Sequence, residues 1–458
     1  MNRFATRQVV AATLWCALVM FGLWVWTQRV HVWTQRVHEH PHKSVLSSFQ
    51  CTNETDWRVR SCQLRNVCLR NERVVNPKLP NTFSSATLEA DSRFLYFYDR
   101  NKTERPPVPL AGVVGRTNDP RNPFAVHLVD IDNFDASVLY KQDVYMVNKT
   151  TLLAHRHSAG NPGHLIIDLM FPLFMLEKRF RRADTHTFDH ASYRILVNDL
   201  CQNSPDWNNL TLFENTPKLC EKFTSKYLAL MSTEPLLYSF DFATLNAIPT
   251  NVSYVCFNRL LVGSSAYGAY TDAGGGFSGR GKELREFRDW FWFSHSLNPF
   301  ERSSLAIIPT ILIHRKIGRR TLNNTDELAS EVKKCVGDTA QISVVDIGMP
   351  TLPELLRLLS QTAIFITPPG SAAMTALLMA ERSTLLTAHF YRDAMPSSYE
   401  FKVVFNHLIH VKSYLMPSSP VQYGPGRDDY NAKITNFDKV CDQVTTALQR
   451  WRSSSEEK

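Results

Sequence analysis

His164 and Asp168 stand four residues apart in the stretch NPGHLIIDLMFPLF, residues 161–174. That spacing places both on one face of a helix. Around them Leu165, Ile166, Leu169, Met170, Leu173 and Phe174 read as a buried helix, with Asn161 as its N-cap and Pro162 at its first position. A titratable pair in the first turns of a core helix has two uses. It anchors the helix, or it lines a cleft. In a cleft, a histidine kept neutral by the helix dipole serves as a general base, with Asp168 as the alternative base.

Two further stretches suit an anion. In HRKIGRRTLNN (314–324), Arg315 ends an apolar run, and Arg319 and Arg320 follow in a turn. A guanidinium stays charged and grips two oxygens at once, which fits a diphosphate; a solvated basic turn would read the same way. In ITPPGSAAMTALL (366–378), an apolar run turns through Pro368, Pro369 and Gly370 into a helix of small residues. The free amides at Gly370, Ser371 and Ala372 would hold phosphate or ribose oxygens, as helix N-termini do. Tight packing at an ordinary strand–helix turn is the rival account. The stretch is neither a Walker A loop, for it lacks the lysine, nor G-x-G-x-x-G.

A competing chemistry lies in VHLVDID (126–132), where Asp130 and Asp132 suit a hard divalent cation. Hydrolase chemistry has little support, because G-x-S-x-G, H-E-x-x-H and Cys/His nucleophile signatures are all missing.

The elements that must position these residues are clearest in the C-terminal half. Residues 305–315, 341–348, 363–367 and 384–390 read as strands. Between them 325–335, 351–361 and 371–381 read as helices, the second with a Thr351/Glu354 capping box. This alternation predicts a parallel sheet with covered faces, whose ligands bind beyond the carboxyl ends of the strands. Residues 420–433 read as a loop, and 435–452 as an amphipathic helix with Phe437, Val440, Cys441, Val444, Leu448 and Trp451 on one face. Seven glycines between 263 and 281 predict a flexible loop dividing the body. RFLYFY (93–98) reads as the first strand of that body, after a polar stem holding CQLRNVC.

The 458 residues, 44% of them hydrophobic and 21% charged, suffice for two ordinary domains and exclude a disordered chain. A net charge of +8 without a basic run or nucleic-acid motif points to a localised anionic ligand and away from nucleic acid. Residues 9–26 are apolar except Thr13. Eighteen residues reach roughly 27 Å, enough for a thin bilayer, and no small-residue cleavage site follows. A signal anchor is predicted, followed by the tandem repeat VWTQRVH at 25–38. Sequons at Asn53, Asn101, Asn148, Asn209, Asn251 and Asn323 all follow it and favour a lumenal body of type II topology. Beyond Cys16, eight cysteines permit up to four disulfides, and without a CxxC pair they do not suggest zinc.

Taken in order, CQLRNVC, NPGHLIIDLMFPLF, VCFNRLLVG (255–263), IHRKIGRRTLNNTDEL (313–328) and the 344–379 segment resemble the blocks of glycosyltransferase family 61. The sequence departs from the family at Pro369, where many members carry a histidine before the glycine turn. The resemblance implies an α/β fold of GT-B type, with two Rossmann-like domains facing a cleft. It also implies inverting transfer, without a required metal or cofactor, from a nucleotide sugar, here expected to be a UDP-sugar, to a hydroxyl of a protein or glycan. The expected domains are a cytosolic tail (1–8), an anchor (9–26), a stem (27–85), an acceptor domain (86–285) and a donor domain (286–419). A linker and last helix (420–458) would pack back on the N-terminal domain. His164 or Asp168 would be the base, and Arg315, Arg319, Arg320, Gly370, Ser371 and Ala372 would bind the donor. The enzyme would reside in the Golgi or endoplasmic reticulum membrane, with Asn323 unmodified because a glycan there would crowd the donor. The alternatives are a metal-dependent transferase using Asp130 and Asp132 and a non-catalytic lumenal glycan-binding protein.

Overall fold

The computed structural model describes residues 47–53, 60–70, 93–98, 110–111, 125–132, 144–154, 162–181, 193–197, 227–238, 254–263, 277–294, 308–316, 320–348, 350–392, 394–422 and 430–453, with single positions between them. For 93–98, 110–111 and 125–132 only the backbone is described. The chain divides between residues 45 and 46, and all of these residues belong to the second unit. No helix among the described residues is long and apolar enough to cross a membrane, and the expected anchor at 9–26 lies outside them.

Among the described residues the N-terminal half contributes twelve short strands: β1 (Ser48–Cys51), β2 (Cys62–Arg65), β3 (Val67–Arg70), β4 (Arg93–Tyr98), β5 (Leu110–Ala111), β6 (Ala125–Asp132), β7 (Val144–Val147), β8 (Thr150–Ala154), β9 (Tyr193–Val197), β10 (Leu237–Tyr238), β11 (Tyr254–Phe257) and β12 (Leu260–Val262). They form two mixed six-stranded sheets, ordered β1-β2-β12-β8-β9-β10 and β5-β6-β4-β3-β11-β7. In the first, β12, β8, β9 and β10 run parallel while β1 and β2 are antiparallel additions. This departs from a purely parallel layer, and it corrects the expected stem. Residues 48–51, 62–65 and 67–70 are strands of the body, because Cys62, Leu64, Val67 and Leu69 are buried. Disulfides Cys51–Cys62 and Cys68–Cys256 join directly opposed residues of antiparallel pairs. Cys201 and Cys220 lie outside the described residues.

Between the two halves runs a helix interrupted in its second turn. It comprises α1 (Pro162–His164), a π-helical turn (Leu165–Met170) and α2 (Phe171–Phe180). α3 (Gly281–Phe293) packs on it through Phe287, whose ring centroid lies 5.6 Å from that of Phe171. Leu165 to Leu176 share one core with Leu352, Leu355, Leu356, Ala373 and Leu377 of the C-terminal half.

That half follows the sequence expectation closely. It contains β13 (Thr310–His314), α4 (Thr325–Val336), β14 (Gln341–Val345), α5 (Leu352–Gln361), β15 (Thr362–Thr367), α6 (Ser371–Met374) and β16 (Ser383–Thr387). Then follow a hairpin of β17 (Phe390–Arg392) and β18 (Met395–Ser397), α7 (Tyr399–Val403), β19 (Val411–Leu415), a second hairpin of β20 (Ser418–Gln422) and β21 (Tyr430–Ile434), and α8 (Phe437–Ser453). The main sheet is fully parallel, in the order β14-β13-β15-β16-β19. The capping box is present: the Thr351 amide and hydroxyl both donate to Glu354 at 2.7 Å.

Two expectations change here. The helix expected over 371–381 is a single α turn continued as a 3-10 turn over 375–378, where the Thr375 hydroxyl bonds the Ala372 carbonyl. Residues 420–433 are not a plain loop, since β20 and β21 pair and the Ala432 amide also donates to the Thr321 carbonyl at 2.9 Å. The last helix packs on α4, β15 and β16, where Val440, Val444, Ala447 and Leu448 complete the core of the parallel sheet and Cys441 is disulfide-bonded to Cys335 of α4.

Candidate active site

The site begins at the interrupted helix. Pro172 has no amide hydrogen, and in a straight α-helix its ring would meet the carbonyl of Asp168. The turn before it is widened, and the Phe171 amide donates to the Ile166 carbonyl, five residues back. Such π-helical turns often lie at functional sites. Within it the His164 Nδ1 lies 2.6 Å from Asp168 Oδ2. The Asp168 side chain is fully buried, whereas that of His164 is 22% exposed. A buried carboxylate accepting the Nδ1 proton fixes the tautomer and makes Nε2 the accepting nitrogen, the arrangement a general base requires.

The second part lies at the carboxyl edge of the parallel sheet. Its order reverses between β13 and β15, since the chain moves from β13 outward to β14 and then back to the other side. At such a switch point the strand ends diverge and leave a crevice for ligands. The loops after β13 and β15 carry Arg315 and Arg320, and Pro368 to Ser371. Gly370 has φ +112° and ψ −155°, a conformation open essentially to glycine alone. The turn it makes abuts α1 so tightly that a Cβ on Gly163 would stand 2.8 Å from the Ser371 Cα. The two sequence motifs, more than two hundred residues apart, are therefore in direct contact.

Glu400, on α7, completes this corner. Its Oε2 accepts the Gly370 amide at 2.9 Å. Burial pushes the Glu400 carboxyl up, against the Gly370 hydrogen bond and the positive charges of Arg320, His164 and Lys316. Arg320, held at φ +56°, lays its guanidinium over the Phe390 ring at 4.6 Å. Beneath it His314 is buried at the end of β13, where it faces the Val345 carbonyl and the Ile347 amide, each at 3.3 Å. Burial lowers the His314 pKa, with the Val345 carbonyl and Asp346 opposing and Lys316 assisting.

The other predicted residues are distributed as follows. Arg315 is half exposed and paired with Asp326 at the start of α4. Arg319 and Asn161 lie outside the described residues. Ser371 is partly exposed, and Ala372 packs against the central core. Asp130 and Asp132 end β6, where they pair in register with Tyr96 and Tyr98 of β4. No cluster of three metal-ligating side chains occurs among the described residues. Asn53 and Asn148 are exposed, while Asn101, Asn209 and Asn251 lie outside the described residues. Asn323 is exposed, but its Oδ1 takes the Thr321 hydroxyl and the sequon's Thr325 hydroxyl is bonded to the Leu322 carbonyl. Glu400 and Lys316 escaped the sequence reading, for a lone glutamate in SSYEFK and a lysine among arginines carry no spacing signal.

The family model of glycosyltransferase 61 matches residues 163–386. The match starts at Gly163 and takes in the His164–Asp168 pair, Arg315, Arg319 and Arg320, and the Gly370 turn. Residues 163–386 are thus similar to glycosyltransferase family 61, and this family domain supports a glycosyltransferase, a class that implies a nucleotide-sugar donor and an acceptor. No curated protein matches closely enough to add a named relative.

Proposed function

We propose that this glycosyltransferase inverts the anomeric centre and works without a metal ion, moving a sugar from a UDP-sugar to a hydroxyl of a protein or glycan in the secretory pathway. The observation that carries the reading is the contact between Gly163 and Ser371, which sets the His164–Asp168 pair against the glycine turn at the sheet's switch point. In a single displacement, a base removes the acceptor hydroxyl proton as the oxygen attacks the anomeric carbon, and the nucleotide diphosphate departs from the opposite face. His164 Nε2 would take that proton while Asp168 holds the ring. The leaving diphosphate gathers negative charge, which Arg320 and Lys316 would offset, with Arg315 and Arg319 nearby in the chain and the amides of Ser371 and Ala372 at the turn. The two halves would act as the facing domains of a GT-B enzyme, anchored through residues 9–26 with the body in the lumen.

Thermal unfolding of the full-length chain with a panel of nucleotide sugars tests this reading. A bound donor at a hundredfold excess over its dissociation constant stabilises by about 2.7 kcal/mol. A shift with UDP-sugars in EDTA supports metal-free donor binding. A shift only with Mn²⁺ transfers the chemistry to Asp130 and Asp132.

A further inference from the structure

Glu400 is a titratable side chain of this corner that has no part in the transfer described above. Its helix, α7, buries no side chain fully, whereas Val404 and Phe405 directly after it are 0% and 1% exposed. The helix is thus a short element between the β17–β18 hairpin and the buried Val404, with Phe401 and Val403 against the core and the carboxylate in its first turn. What the carboxylate grips is the amide of Gly370, thirty residues earlier in the chain. Gly370 has no side chain and no steric neighbour at its Cβ position, so packing alone does not set its conformation. The next residue, Ser371, is the one that touches Gly163. The position of the turn, and with it the distance from the donor-binding loop to His164, depends on what holds the Gly370 amide.

We propose that Glu400 is a positioning residue for transfer: its carboxylate fixes the Gly370 turn and so aligns the donor seat with the His164–Asp168 pair. A charged acceptor makes a shorter and stronger bond to an amide than a neutral one. The cations around it, Arg320 and Lys316, come from the loop after β13. They offset the burial of that charge. The proposal rests on the donor seat and base assigned under the proposed function.

Glu400→Ala and Glu400→Gln separate this role from the alternatives, because glutamine keeps an oxygen that accepts the Gly370 amide. Loss of alignment by about an ångström lowers turnover on the order of 10²-fold. Glu400→Ala should therefore lower kcat by about that factor and raise the donor KM, while Glu400→Gln recovers most of the loss. Amide exchange over 370–374 should lose protection in Glu400→Ala and keep it in Glu400→Gln. Two results overturn the proposal: kcat and KM within about twofold of wild type in Glu400→Ala, or Glu400→Gln as inactive as Glu400→Ala with exchange protection intact, which would make the charge itself the agent. If the wild-type chain transfers no sugar from any donor, the proposed function fails. The exchange measurement then still decides whether Glu400 sets the turn.

Discussion

Gly163 and Ser371 touch backbone to backbone: a Cβ at position 163 would meet the Ser371 Cα at 2.8 Å and its carbonyl oxygen at 3.1 Å. Neither neighbour is the flexible end of a side chain, so an added methyl group must push α1 and the glycine turn apart. Gly163→Ala is expected to cost roughly 1–3 kcal/mol, as overpacking does, and to reduce transfer as well. Gly337 gives the comparison. Unlike Gly163 it has a positive φ, a Cβ there meets nothing within 4 Å, and the site is remote in sequence. Gly337→Ala should lower stability through backbone strain alone and leave transfer unchanged. Denaturant titrations and initial rates of both variants check this, and equal rates in the two would break the link between the contact and the chemistry.

The His164–Asp168 pair makes a second prediction. With Asp168 accepting from Nδ1, the ring presents Nε2 as an acceptor. Asparagine at 168 has nearly the same volume, but its amide can donate to Nδ1 and so favours the tautomer with a proton on Nε2, which is no base. His164→Ala and Asp168→Asn should each lower kcat by about 10²–10⁴-fold with donor affinity nearly intact. Transfer that survives His164→Ala would assign the pair to anchoring the helix. Steady-state rates together with nucleotide binding by calorimetry separate the two.

How much of this was legible in the sequence depends on the range of the interaction. The parallel sheet from β13 to β16 was readable because each strand is a short apolar run between amphipathic helices, and the Thr351–Glu354 cap is a contact over three residues. The His164–Asp168 pair was readable for the same reason, being one helical turn. β1 to β3 were hidden in what read as a polar stem. β1 pairs only with β2, the partners of β2 and β3, β12 and β11, lie almost two hundred residues on, and alternation over four residues is too short to stand out from Gln63 and Arg65. Glu400 was unreadable because its partner, Gly370, is chosen by the folding of α7 across the sheet's edge.

The disulfides extend that point to energetics. Cys68–Cys256 closes a separation of 188 residues and Cys51–Cys62 one of 11. If a cross-link acts mainly on the unfolded chain, the first contributes about 5 kcal/mol and the second about 3 kcal/mol. Both are flanked by buried apolar residues, Leu69 and Val255 in one case and Leu64 in the other, so packing differs less than loop length. The double variant Cys68→Ala/Cys256→Ala should therefore unfold at lower denaturant than Cys51→Ala/Cys62→Ala. The reverse order would mean that local geometry outweighs chain entropy here.

His410 sets a limit on acid stability. Its imidazole is completely buried and lies 2.9 Å from the Leu377 carbonyl through Nε2. Burial, and next the Arg288 guanidinium, hold its pKa down at about 3 from an ordinary 6.5. Arg288 is itself almost fully buried and paired with Asp289 and Glu381, so its charge persists. Between pH 6.5 and about 3 the unfolded chain binds a proton at this position that the native state refuses. The stabilisation is complete above pH 6.5 and falls as the pH drops toward 3, by up to about 1.4 kcal/mol per pH unit. His410→Gln keeps a donor for Leu377 but takes up no proton on unfolding. Its free energy of unfolding, measured from pH 7 to 4, should fall less steeply than that of wild type by close to one proton's worth of slope. Parallel curves would mean that the native state admits the proton at His410.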